Sequence, residues 1–505
     1  MSSGQPGDPR QGDEEDLDRA LNRGALINAF GIVAKLSFPI FFLVVTWTLG
    51  PARTGVFSLA FFAGELLKSF VVSGYMDGVV VYTSRATQRP DEGIAPERVI
   101  GAAMTTTLLV SSAVCAGLWW PVEWAAETHF REYDDLGAAL RLVLLTLPAL
   151  AALNVALSGT KARMIMHYEV LVNGLARPVL LTASAVVAGV SDTGLTGLMV
   201  GYLATHVVLA GLGLLALGRL FDLKKVLRGM RGPRVPRLHG YSVPQSFKVT
   251  LSNYQTRVDA WLLGIFATPP TVLAMYTTAA LVTDALRQIR IVFSTSLGPV
   301  AARHHARGDN EALEAVLNRL CRWTTAMVIP FVFSLIVFRD ELLILVDPAY
   351  DRDTSFMLVL LIAPLSSCAF GLFGNTISYT GHSRWNLANA LFVATVNTVL
   401  SYALIPEYGL VGAAVGTAVS TVALNLAEIA ELGALEKIRL QPRELFQPYV
   451  AAVPLVLGAL WLWDPGQLPW VWRLPFWVGG LVVYLGAMRL LGMPELRRAA
   501  PADAE

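Results

Sequence analysis

Charge is scarce in this sequence. Only 15% of the 505 residues are Asp, Glu, Lys or Arg, where soluble domains average about 25%. Apolar residues make up 54%, and the mean hydropathy is +0.53. Together these values exclude a soluble globular chain and point to a polytopic membrane protein. Cysteine is nearly absent as well. Cys115, Cys321 and Cys368 lie in or beside apolar runs, and so odd and scattered a set is neither a disulfide framework nor a metal site. The phosphate-binding GxxxxGK[ST] loop is missing, and so are HExxH and GxSxG, which removes the motif-level grounds for nucleotide hydrolysis, zinc peptidase or serine hydrolase chemistry. The pair His304 and His305 in "RHHARGD" has no further ligands near it in sequence and reads as a solvated loop. The acidic start, residues 1–20, lacks the basic-then-apolar pattern of a signal peptide and is expected to be a disordered cytoplasmic tail. The net charge of +1 is uninformative, because position decides what charges do in a membrane.

What is abundant is long apolar runs. A bilayer core takes about 20 apolar residues per helix. The runs predict fourteen helices, at roughly 25–48, 55–82, 99–120, 136–156, 170–189, 195–217, 244–266, 272–300, 323–338, 356–378, 386–404, 410–430, 448–463 and 474–490. The connections are short, so no soluble domain is inserted. The longest, 218–240, carries seven Lys and Arg and is expected to set topology and touch anionic head groups. With the N-terminus inside, the inner loops and tails hold 26 Lys and Arg and the outer loops five. That bias predicts an N-in, C-in chain. The outer loops are acidic, and Trp119, Trp120, Trp124, Trp470 and Trp472 fall near outer helix ends, where indole rings favour the head-group layer.

The chain also repeats. "FSLAFFAGELLKSF" (57–70) aligns with "YTTAALVTDALRQI" (276–289) at an offset of 219, matching Glu65 with Asp284 and Lys68 with Arg287. "GLTGLMVG" (194–201) aligns with "GLVGAAVG" (409–416) at an offset of 215, with three glycines in register. Both pairs join helices of one orientation, so the expectation is two parallel six-helix bundles, 21–217 and 241–432. The 218–240 stretch would be a basic cytoplasmic linker, and helices 13 and 14 (447–491) would be an appendix. Parallel repeats are common in transporters, which place substrate between them. The glycines fit close helix packing.

"AALVTDALRQIRIVF" (279–293) is the most informative run. Asp284, Arg287 and Arg290 sit three apart and share a face. A charge at mid-bilayer costs about 2.5–3.5 kcal/mol, so this face must meet protein or water. The other intramembrane charges concentrate in helices 1, 2, 7 and 8: Lys35, then Glu65, Lys68 and Asp77, then Lys248, Arg257 and Asp259. One shared, hydrated and net-cationic cavity between the halves accounts for them all. The plainer reading treats Glu65–Lys68 and Asp284–Arg287 as intrahelical pairs and Lys248 as a snorkelling residue. Arg141 and Arg177 read as packing or snorkelling residues.

"NYQTRVDAWLLGIFATPPTVLAMYTTAALV", "LGPARTGVFSLA", "DELLILVDPAYDRD" and above all "LIPEYGLVGAAVGTAVST" resemble bacterial polysaccharide transporters. The family is the Wzx-type flippase branch of the multidrug/oligosaccharidyl-lipid/polysaccharide exporter superfamily. The resemblance covers about residues 25–432. It implies a V-shaped pair of six-helix bundles that work by alternating access in the bacterial inner membrane. The implied substrate is an undecaprenyl-diphosphate-linked oligosaccharide turned from the cytoplasmic to the periplasmic leaflet for O-antigen, capsule or exopolysaccharide synthesis. Membrane lipids and polysaccharide polymerase machinery are the implied partners. No cofactor is implied beyond H⁺ or Na⁺ coupling. Lys35, Lys68, Arg257, Arg287 and Arg290 are the expected diphosphate or glycan contacts, since Arg and Lys bind phosphate by charge and Arg adds a bidentate fork. Glu65, Asp77, Asp259 and Asp284 would organise these bases or carry the coupling ion. The rivals are a lipid II-type flippase and a drug/cation antiporter, the latter favouring an acid-rich cavity. From another class comes a membrane glycosyltransferase or polymerase, which needs a larger outer lobe than these loops supply.

Overall fold

The computed structural model describes residues 37–88, 94–232, 235–348, 354–380, 382–442, 446–461 and 469–491. Every regular element among them is a helix. In chain order the principal ones are α1 (Ser37–Leu49), α2 (Pro51–Gln88), α3 (Pro96–Leu118), α4 (Leu136–Ala162), α5 (His167–Val190) and α6 (Gly194–Gly218). Then come α7 (Pro236–Gln255 and Val258–Ile265), α8 (Pro270–Ala285 and Arg287–Ala306), α9 (Asn310–Val337) and α10 (Ser355–Phe370 and Leu372–Tyr379). A single run, Ser383–Glu436, is bent at Gly409 into α11 (383–408) and α12 (410–436), and α13 (Gln447–Trp461) and α14 (Trp470–Leu490) follow. Short helices Pro121–His129, Leu223–Met230 and Arg339–Ile344 lie between them.

Eight helices among the described residues are individually long and apolar enough to cross a membrane, nine if the two parts of α10, bent by 44°, are one span. The chain is therefore an all-α polytopic membrane protein. A total of fourteen crossings depends on counting broken and short helices as spans. The sequence underestimates α9, expected at 323–338, because its first three turns are polar. They are helical all the same, starting from Asp309, whose carboxylate accepts the Ala312 amide at 3.1 Å.

The repeat is visible in the backbone. α2 and α8 both begin with proline, Pro51 and Pro270, a residue whose fixed φ suits the first helical position. Gly194 and Gly409, the first glycines of the two aligned motifs, both have positive φ, 62° and 53°, a conformation that glycine adopts without steric cost. The third glycines serve packing. A Cβ on Gly201 would meet Ser184 of α5, and one on Gly416 would meet Ser401 of α11.

Apolar packing differs between the two membrane sides. On the side of the acidic loops, one core runs through both halves, joining Phe41, Phe57 and Tyr202 to Leu263, Tyr276, Phe356 and Ala413. On the side of the basic loops there are two cores. One joins Val72, Ile100 and Val155 of the first half to Leu238 in the first turn of α7, and the other, Leu297, Leu317, Phe373 and Leu432, lies within the second half. α13 and α14 share a further core with α9, through Phe333, Leu455 and Tyr484. Residues 219–235, between α6 and α7, contain the helix Leu223–Met230. Its Val226 and Gly229 are buried against the first turns of α3.

Candidate functional site: a cationic cavity between the halves

Midway along α2, α7 and α8 lies a cavity of about 530 Å³. Its wall includes Phe38, Phe61, Phe62 and Trp261, and its polar lining includes Glu65, Arg177, Arg257, Asp284, Arg287 and Arg290. Four guanidiniums face two carboxylates, leaving an excess of two positive charges.

The two carboxylates occupy repeat-equivalent positions and are held in the same way. Glu65 pairs with Lys68 on its own helix and, at 3.0 Å, with Arg177 of α5. Asp284 pairs with Arg287 on its own helix at 3.5 Å and with Arg257 of α7 at 3.0 Å. Arg177 also lies over the Phe38 ring at 5.3 Å and Arg257 over Phe62 at 4.7 Å, contacts that favour a cation held away from bulk water. Arg290 makes no carboxylate pair among the described residues, and its Nη1 donates to the Gly371 carbonyl at 2.9 Å. The Nε–H groups of Arg177 and Arg290 are buried and donate no hydrogen bond among the described residues, and that of Arg287 reaches Asp284 Oδ1 only at 3.5 Å.

All four cations paired with these carboxylates sit where a helix is irregular. Lys68 directly precedes a π-helical stretch, Ser69–Ser73, and Arg177 directly follows another, Val170–Ala176. Arg257 lies in the break of α7, with φ −136°, and Arg287 opens the second part of α8. Such irregularities rotate side chains off the regular helical face, and π-turns occur frequently at functional sites.

The cavity is pinched at both ends. On the acidic side Ser58 and Thr277 hydroxyls meet at 3.1 Å. These residues are 219 apart, the repeat offset itself, so a residue and its repeat mate touch on the axis relating the halves. Beside them Gly55 packs so tightly on Pro270 that a Cβ would come within 2.7 Å of the Pro270 carbonyl carbon. Trp47 Nε1 donates to the Leu345 carbonyl at 2.7 Å and Tyr133 to that of Thr268 at 2.6 Å. On the basic side the Gly74 amide donates to Ser246 Oγ at 3.0 Å, and Tyr75 Oη meets His239 Nδ1 at 2.9 Å. Gly74 and Gly78 of α2 fit against Ser242 and Ser246 of α7, small residues four apart on both helices, a spacing that lets backbones approach closely.

Some expected cavity residues lie elsewhere. Asp77 is exposed at the basic seam, where its carboxylate accepts from Gln245 Nε2 at 2.9 Å. Lys248 is near the same seam and does not line the cavity. Lys68 reaches Glu65 from outside the cavity wall. Asp259 is 3% exposed and accepts from Tyr276 Oη at 2.5 Å, Thr417 Oγ1 at 2.9 Å and the Ala260 amide at 2.8 Å. It borders a small cleft that shares Arg257, Asp284 and Arg287 with the main cavity. Lys35 falls outside the described residues. Arg141 pairs with Glu123 and donates to the Trp119 carbonyl, away from the cavity. Arg177, set aside on sequence, lines it; Lys68 already satisfied Glu65 within one helix, so nothing in sequence called for a second partner. His304 and His305, expected in a solvated loop, lie in the last turn of α8, and His305 and His382 each approach Glu436 at 3.4 Å. No group of three His, Cys, Asp or Glu among the described residues is placed to hold a metal.

The family described as Polysaccharide biosynthesis protein matches residues 44–347. A probable low-salt glycan biosynthesis flippase, Agl15 of Haloferax volcanii, is 24% identical over 185 residues, 36% of this chain and 39% of that protein. Among solved structures, the lipid II flippase MurJ in an inward closed conformation superposes with TM-score 0.70 at 11% identity, covering 93% of this chain and 99% of its own. A Pyrococcus furiosus transporter of the MOP superfamily, described as having a reversed binding-pocket polarity that suggests a different function, gives 0.59 at 14% identity over 83% and 95% of the two chains. These structural likenesses establish the fold. The family match covers more than half of the sequence: the chain belongs to the polysaccharide biosynthesis protein family and has the membrane fold of the multidrug/oligosaccharidyl-lipid/polysaccharide exporter superfamily.

Proposed function

We propose that this protein is a flippase for a lipid-linked glycan, carrying a diphosphate-bearing head group across the membrane through the cavity between its halves. The observation that carries this reading is the cavity's electrostatic make-up. Four guanidiniums against two carboxylates, with the buried Nε–H groups of Arg177 and Arg290 unspent and that of Arg287 only loosely paired with Asp284, leave a site short of anionic acceptors. Buried donors without partners are costly, and a phosphate oxygen is the acceptor that guanidiniums match best. A drug/cation antiporter would call for the opposite charge balance.

The sugar and phosphate would travel in the cavity while the prenyl chain stays in lipid. The acidic-side and basic-side closures would open in alternation. The substrate class we assign is undecaprenyl-diphosphate-linked oligosaccharide, and the direction is inward to outward leaflet. The orientation is N-in and C-in within a bacterial inner membrane, which places the basic loops in the cytoplasm. Membership of a polysaccharide biosynthesis family and the resemblance of part of the chain to a glycan flippase support this assignment. Among the cavity residues, Arg287 and Arg290 are assigned to the diphosphate and Arg257 and Arg177 to its surroundings, with Lys68 backing Glu65 from outside the wall.

The test is reconstitution. Proteoliposomes containing the protein should expose a labelled, chemically unchanged lipid-linked oligosaccharide on the far leaflet. The double variant Arg287→Ala/Arg290→Ala, inserted normally, should lose at least tenfold in rate. Full transport by that variant would remove the site from this cavity, and a lengthened or transferred glycan would mean an enzyme instead.

A further inference from the structure

We propose that Glu65 and Asp284 are internal counter-anions that occupy the cavity's cations until phosphate displaces them. The proposal rests on the reading of the cavity as a phosphate site and names how that site is regulated. Each carboxylate spreads its two oxygens over two different cations. Glu65 Oε1 faces Arg177 and Oε2 faces Lys68, while Asp284 Oδ2 faces Arg257 and Oδ1 faces Arg287. In each case one cation comes from three residues along the same helix and the other from a neighbouring helix. The arrangement occurs twice, with each carboxylate and its same-helix cation at positions related by the repeat and the second cation drawn from non-equivalent helices.

A carboxylate in this position has a definite physical consequence. Cations gathered in a partly dehydrated cavity repel one another and lose hydration. Two built-in anions relieve both costs while the cavity is empty. A phosphate offers more acceptor oxygens and more negative charge than a carboxylate, so it can take over the same N–H donors. Exchange of one anion for another makes binding weaker than it would be to bare cations, and release correspondingly easier. For a transporter, which must let go on the far side, that is an advantage in rate.

The two halves are unequal. The Glu65 cluster is closed, with Arg177 12% and Lys68 15% exposed. In the Asp284 cluster the Arg287 pair is longer at 3.5 Å, and Arg290 makes no ion pair among the described residues, with the Glu428 carboxylate acting on it only at longer range. The second-half cluster is therefore the one that yields first, with Arg290 and Arg287 meeting the incoming anion and Arg257 following when Asp284 is displaced. Glu65 and Asp284 are positioning residues in this scheme and do not themselves contact the phosphate.

The experiment measures inorganic pyrophosphate binding to the purified full-length protein by calorimetry, alongside transport in proteoliposomes. Asp284→Asn keeps the shape and removes the charge. It should bind pyrophosphate about fivefold more tightly, the size of a partly exposed ion pair, while maximal transport falls by a similar factor because release slows. Glu65→Gln should shift both in the same directions by less, and Asp284→Glu should restore wild-type values. Arg287→Ala/Arg290→Ala is the reference and should lose pyrophosphate binding. If the reference loses binding but both charge-neutral variants bind more weakly or unchanged, the counter-anion role is overturned and the phosphate site stands. If the reference binds normally, the phosphate site itself is overturned. Should Asp284→Asn fail to fold, Glu65→Gln alone decides the direction.

Discussion

The two ends of the cavity are closed by different physics. On the acidic side, one continuous apolar core crosses between the halves, reinforced by Trp47–Leu345, Tyr133–Thr268 and Ser58–Thr277. On the basic side, the first half's core reaches across only to the first turn of α7, through Leu238, and the rest of the seam depends on small residues and a few polar contacts between α2 and α7. Separating the acidic side exposes apolar surface, which costs roughly 25 cal/mol for each Å². Separating the basic side mainly exchanges protein hydrogen bonds for water, a small net change for each bond. The molecule is thus built to open more readily on its basic side. The unequal counter-anion clusters add a second asymmetry at the cavity's centre.

Substitutions at the two seams separate these closures. The largest effect is expected from Gly55→Val, because the new side chain would meet the backbone of Pro270. Neither strand of chain can yield without breaking the shared core, and overpacking of this kind costs about 1–3 kcal/mol. Transport should fall at least tenfold, and a cysteine placed at Arg290 should become reactive from the acidic side. Gly74→Ala is the matching change at the basic seam, where a Cβ would meet the Ser246 amide nitrogen at 2.5 Å. Only Leu238 of α7 joins an apolar core across that seam, so the halves can part there and the thermal midpoint should change little while the same cysteine becomes reactive from the basic side. Equal loss of stability in the two variants would erase the distinction drawn here.

Tyr133→Phe probes a single bond of the acidic closure and should weaken it by about 1 kcal/mol. The wild-type bond also has a pH signature. Burial, with Glu132 beside it, pushes the Tyr133 phenol above its ordinary value of 10.0. A phenol whose folded value is raised contributes stability that is complete below the unfolded value and lost as pH rises past it. Accessibility of the cavity from the acidic side, read as cysteine reactivity relative to that of a free thiol at the same pH, should therefore stay flat up to about pH 10 and rise above it. Phe at position 133 should flatten that rise.

Much of the fold was legible in sequence because the bilayer imposes simple demands. Apolar runs, the aligned Glu65/Asp284 and Lys68/Arg287 pairs, and the packing glycines at 201 and 416 each had a direct physical reading, whereas the positive φ of Gly194 and Gly409 did not show in the motif. The polar first turns of α9 were not legible, since their helical state rests on the Asp309 cap and on Leu313 and Leu317 packing in the basic-side core. The cavity was legible in part. Asp284, Arg287 and Arg290 announced themselves by their cost in lipid. Arg177 did not, because a lone Arg in an apolar run looks the same whether it snorkels or reaches Glu65. Asp77 failed in the other direction, as its position within a long apolar helix hid its exposure at the seam.

By itself the sequence determined that the chain lives in a membrane, that it is built of two similar halves, and that a few charges must avoid lipid. Those conclusions follow from transfer energies and chain periodicity, which are properties of residues and their spacing. The tertiary structure decided which cation meets which carboxylate and how each end of the cavity is shut. Both depend on where π-turns and helix breaks rotate individual side chains and on which surfaces reach across between the halves, and neither is encoded in local pattern.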